Sequence, residues 1–139
     1  MDNSLLINKY ILSFLENSEA VTEILGSDEH KIFPLIQPDS LTFPYIVFQR
    51  SSVYPQYTKD LYIGAGFGWT NTVNVIIKCV SNDYIESVEL ANAVRNTLEG
   101  HTYEDADIKI DPIQLSSATE YTNDVDVFIQ DLTFEISVT

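Results

Sequence analysis

The side chains that could do covalent or metal chemistry are few. Cys79 is the single cysteine, and His30 and His101 are the two histidines. Cys79 stands at the inward end of an alternating strand, where a buried and inert thiol is the default over a nucleophile. His30 lies in the polar stretch SDEH and His101 just past a predicted helix end. Neither has a cysteine or second histidine at ligand spacing, which argues against zinc. Gly64, Gly66 and Gly68 form G-x-G-x-G, but a phosphate cradle needs such glycines to open a helix. Here they lead into a strand at Trp69. Glu104, Asp105 and Asp107 could hold calcium loosely. They lack the glycine and closing glutamate of an EF-hand loop, so solvated charge is the simpler reading. Asp124 and Asp126 share one strand face beside Phe128 but have no third group to work with. No catalytic, cofactor-binding or metal-binding residue is assigned, and the chain is not read as an enzyme.

The elements that must position these residues follow from composition and period. A chain of 139 residues fits one domain, and 45% apolar residues suffice for a core. Seven Lys and Arg against 21 Asp and Glu give a net charge of −14. Such a chain is repelled by phosphate backbones and by anionic membranes, so tight nucleic-acid binding and membrane docking are disfavoured. From His101 onward, Lys109 is the only cation against nine acids, so the negative field is concentrated there. The bland reading of this charge is solubility; the functional one is a surface that repels DNA or attracts a basic partner. One cysteine permits no intrachain disulfide. The N-terminal stretch has no basic leader pattern, and no apolar run reaches the roughly 18 residues of a membrane span.

Leu5, Leu6, Tyr10, Ile11, Phe14 and Leu15 predict an amphipathic helix, with Asn3 or Ser4 as cap. A short helical turn follows, capped by Ser18 and stopped at Gly26. Lys31–Ile36 reads as a short or edge strand because Pro34 lacks a ladder donor. Tyr45–Arg50 reads as a strong strand. Residues 51–68 read as a long loop rich in aromatics and glycine, which either packs on its own domain or docks on a neighbour. Trp69 to Cys79 alternates with its odd positions inward. Asp83–Glu99 predicts a helix with a capping box of Asp83 and Glu86, and a stripe of Tyr84, Val88, Ala91, Val94 and Leu98. Ile108, Ile110, Ile113 and Leu115 mark a strand broken at Pro112, and SSATEYTND reads as a polar turn. The last strand, from about Asp124 to Val138, is apolar on both faces in its first half. Val125, Val127 and Ile129 therefore need a second cover, either the long loop or another subunit. The order predicts an α+β fold, with an antiparallel or mixed sheet of about four to five strands and two main helices on one face.

Read together, these segments resemble the tail-completion, or tail-terminator, family of long-tailed phages. The resemblance runs through Ile24-Leu25-Gly26, Lys31-Ile32-Phe33-Pro34 and Phe43-Pro44-Tyr45-Ile46-Val47-Phe48. It continues through Val73–Ile77, Ser81–Glu86, Leu90–Arg95, Asp126-Val127-Phe128 and Leu132–Ile136. The long loop and the weight of acid at the end depart from a short member of the family. The resemblance implies a single domain over residues 1–139, built in the host cytoplasm and carried in the virion at the head-proximal end of the tail. It implies a ring, commonly a hexamer, that stops growth of the tail tube and meets the head connector. The expected partners are further copies, the tail tube protein and the connector or adaptor proteins, with no cofactor. DNA would pass through the ring.

A closed ring needs two different complementary patches on each copy. Val125, Val127 and Ile129 are the first candidate, and Tyr54, Tyr57, Tyr62 and Phe67 the second. Glu104, Asp105, Asp107, Asp124 and Asp126 are candidates for an acidic lumen that lets DNA slide. Two other readings stay open: a head-completion or adaptor ring of the same virion, and an acidic binding module such as an inhibitor or DNA mimic.

Overall fold

The computed structural model describes residues 3–26, 31–35, 43–56, 70–124 and 126–139. Three helices, α1 (Ile7–Glu16), α2 (Glu19–Leu25) and α3 (Tyr84–Leu98), cover one side of a seven-stranded curled sheet. The strands are β1 (Ile32–Pro34), β2 (Tyr45–Gln56), β3 (Thr70–Ser81), β4 (Tyr103–Glu104), β5 (Lys109–Ile110), β6 (Gln114–Asp124) and β7 (Val127–Val138). Their order is β1-β2-β3-β7-β5-β4, and β6 also lies on β7. Only the β1–β2 pair is parallel among these ladders, so the sheet is mixed.

The core follows from alternation. Along β3 the odd residues Val73, Val75, Ile77 and Cys79 are fully buried. They are flanked by Ile46 and Phe48 of β2 and by Leu132, Phe134, Ile136 and Val138 of β7. The helices supply Ile7, Ile11, Leu15, Val21, Leu90, Val94 and Leu98 to the same core. Pro34 sits in β1, an edge strand three residues long, as its missing donor requires. Ser18 caps α2, with Val21 N donating to its hydroxyl, and Gly26 leaves that helix at φ 93°.

Several expectations change. The sheet holds seven strands, more than the four to five expected, because SSATEYTND lies wholly in β6 and two-residue strands form at Tyr103–Glu104 and Lys109–Ile110. The first residues of the expected 51–68 loop are strand instead, since β2 runs to Gln56; residues 57–68 lie outside the described residues. Leu5 and Leu6 are exposed, because the first turn is a 3-10 turn ahead of α1. In α3 the buried stripe is Ser87, Leu90, Ala91, Ala93, Val94 and Leu98, while Tyr84 and Val88 face outward. The capping box does not close. Asp83 does cap, accepting from Ile85 N at 3.1 Å, but Glu86 accepts from the Ser81 hydroxyl. That same hydroxyl accepts from Asp83 N, so Ser81 stands between the two expected partners.

Candidate assembly surface

The sheet has a second face, and its residues form their own cluster. Odd residues of β2 and β7 and even residues of β3 point away from the helices there. Tyr45, Val80 and Ile129 lie side by side through the register Tyr45↔Val80 and Val80↔Ile129. All three are buried, and Phe33, Phe43, Val47 and Val127 pack on them. Phe43 stacks on Tyr45 with ring centroids 5.6 Å apart, and Phe33 meets Tyr45 edge-on at 6.4 Å. Beside the cluster runs a groove of about 500 Å³, lined by Leu35, Lys78, Tyr121 and members of the cluster. Lys78 Nζ lies 5.9 Å from the centroid of the Tyr121 ring.

Of the expected interface residues, Ile129 is 5% exposed and Val127 is half-buried at its side. Tyr54 is 59% exposed. It reaches this outer face because a bulge between Arg50 and Ser52 reverses the alternation of β2, turning Val53 to the core beside Val73. The outer face therefore carries Val127 and Ile129 toward one end and Tyr54 toward the other. Val125, Tyr57, Tyr62 and Phe67 lie outside the described residues, as do His30, Gly64, Gly66 and Gly68.

The acidic candidates divide into two sets at opposite ends of β7. Glu104, Asp105 and Asp107 lie near its last residues, where Ile110 pairs with Val138. Asp124 pairs with Val127 at its start, and the exposed Asp126 is in the adjoining turn. Asp105 is exposed, but both its oxygens are engaged. Its Oδ1 accepts from the backbone N–H of Asp107 and Ile108, at 2.8 and 2.9 Å. Its Oδ2 accepts from the hydroxyls of Tyr10 and Tyr103, at 3.1 and 3.0 Å. The Asp107 and Ile108 amides, with the two hydroxyls, hold its carboxyl below the usual range. Glu104 faces Lys109 across the β4–β5 ladder.

A second polar cluster escaped the sequence reading. Glu120 on β6 accepts from the Tyr84 hydroxyl at 3.0 Å and from Gln130 Nε2 at 3.0 Å. These two bonds, that of Gln130 the stronger influence, lower its carboxyl. Tyr84 meets Phe128 edge-on at 5.6 Å. The signal available was Tyr84 at a helix start, but Glu120 lay in what read as a turn.

The reactive groups are quiet where described. Cys79 is fully buried, and burial pushes its thiol far up. His101 is packed edge-on against Phe14 at 4.4 Å. Among the described residues no group of three or more His, Cys, Asp or Glu side chains is placed to hold a metal ion. No helix among them is long and apolar enough to cross a membrane.

What the described residues offer is contact surface, as in a structural subunit of a larger assembly. The comparisons give that class a name. The family model for tail completion protein gp17 matches residues 9–139, so the chain belongs to this family of structural phage tail proteins. A chain from the virion of a native gene transfer agent particle superposes with a TM-score of 0.75 at 15% identity. The alignment covers 92% of this chain and 90% of that one. A second solved chain superposes with a TM-score of 0.54 at 13% identity, covering 95% of each. At such identities the likeness is one of fold. No curated protein matches the chain in sequence. The protein is thus a component of the virion tail, where it assembles with other virion proteins.

Proposed function

We propose that the protein forms a closed ring at the head-proximal end of the tail, ending the tail tube and providing the seat for the head connector. The observation that carries this reading is the family match over residues 9–139. The outer face supports it, because Val127 and Tyr54 stand on one side of the sheet with no helix over them among the described residues. Two distinct patches per copy are what a head-to-tail ring requires. A net charge of −14 on every copy keeps the lumen of such a ring unattractive to DNA.

The test is particle mass by light scattering, alone and mixed with purified tail tubes that lack the protein, followed by electron microscopy of the capped tubes. A ring of defined copy number on one tube end is expected. Density on the head side of the connector, with bare tube ends, would place the protein in a head-completion ring instead.

A further inference from the structure

The two sides of the sheet end differently. On one side β6 pairs with β7, and among the described residues its other edge meets no strand. Ser116 to Asn123 are all exposed. On the other side β1 covers β2 only from Ile46 to Phe48, so among the described residues Ser52–Gln56 also ladders on one side only, with β3, and Ser51 sits in the bulge. An open strand edge is a template for another chain, and monomeric proteins blunt it with lysine or proline. No lysine, arginine or proline occurs anywhere in Gln114–Asp124. Pro55 withholds a single donor from the open part of β2, which ends any ladder there near Tyr54.

Charge limits which surface two copies can share. Copies carrying −14 repel one another, so a contact between copies must use surface without carboxylates. Both open edges have it. Ser51–Gln56 reads SSVYPQ and Gln114–Thr119 reads QLSSAT, six consecutive uncharged residues each. Direction is also set. β6 is antiparallel to β7, β7 to β3, and β3 to β2, so β6 and β2 run in opposite senses. Rotation about a ring axis preserves each strand's direction along that axis, so in a ring whose strands run along the axis β6 of one copy meets β2 of the next antiparallel.

We propose that copies of this chain join head to tail by continuing the sheet, with β6 around Gln114–Thr119 pairing antiparallel to Ser51–Tyr54 of the neighbouring copy. The pairing rests on the ring reading and names its contact. Main-chain hydrogen bonds give the attachment, and the exposed Tyr54 becomes covered in the process.

Two sets of variants with one introduced cysteine each test it, since the native Cys79 is buried. Tyr54→Cys is mixed in turn with Ser116→Cys, Ser117→Cys and Thr119→Cys, on tail tubes, with a short bismaleimide cross-linker. Dimers are expected only in mixtures, and for one register more than the others. Self-linking of Ser117→Cys alone would reveal a two-fold β6–β6 contact and overturn the proposal. In parallel, Ser117→Lys should keep its circular dichroism and melting temperature while its assembled mass falls to that of one copy. If Ser117→Lys assembles like the wild type, the pairing is wrong and the ring reading survives. If the wild type stays a single copy both alone and on tubes, both fall together.

Discussion

The hydroxyl of Tyr10 and the carboxylate of Asp105 are 95 residues apart in the chain and 3.1 Å apart in the fold. Tyr103 shares the same carboxylate oxygen, and its ring lies 5.3 Å from that of Tyr10. One aspartate thus ties α1 to the β4–β5 turn while its other oxygen holds that turn in shape. Its folded-state carboxyl is lowered. Such a group adds stability that is fully present above its unfolded-state value and lost as pH falls through its folded-state value. Asp105→Asn should therefore lower the melting temperature near neutral pH. The gap from wild type should close as pH drops through and below the ordinary aspartate range. Thermal melts at a series of pH values check this; a gap independent of pH would refute it.

The stripe of α3 gives a paired prediction. Leu90 is 0% exposed, whereas Val88 is 38% exposed. Leu90→Ala should cost about 2–5 kcal/mol. Val88→Ala should stay within about 0.5 kcal/mol. Urea unfolding of both variants decides, and equal losses would put the helix in the wrong rotation.

Cys79 should be silent to thiol reagents in the native protein. Its burial, with Asp131 as a smaller influence, keeps the thiol protonated. Labelling should track unfolding and accelerate with denaturant. Full labelling within minutes in native buffer would contradict the packing of β3.

On the outer face, Val127 and Ile129 should respond differently to a charge. Ile129 is closed in by Tyr45 and Val80, so Ile129→Asp should lower stability by about 2 kcal/mol or more. Val127 is at the rim, so Val127→Asp should remain folded and fail in assembly. Circular dichroism and light scattering separate the two effects. An unfolded Val127→Asp would make this patch interior rather than interface.

How much of this was legible depends on whether a residue's surroundings were local. β3 was readable because it is buried on one face along its whole length, which imprints a period of two. β6 was not, because both its faces are mostly exposed and nothing apolar marks its period; its conformation is held by the ladder to β7. The far face of β7 was readable from Val127 and Ile129, but its cover was not, since Phe33 and Tyr45 arrive from distant strands. Tyr54 could not be assigned a face from sequence, because the bulge after Arg50 leaves no signature in residue type. Asp105 read as one solvated acid among many, and only the fold brings Tyr10 to it.

The central position of β3 has a consequence for motion. It is laddered on both sides along nearly its full length, to β2 and to β7. Its amides should exchange with solvent hydrogen only when the whole domain opens. Among the described residues β6 hangs on a single ladder and buries little, so its amides should exchange through local fraying. The domain therefore has a fast edge on a slow frame. A strand that frays alone can be straightened onto a partner without disturbing the core behind it, and protection of β6 amides on assembly would register that event directly.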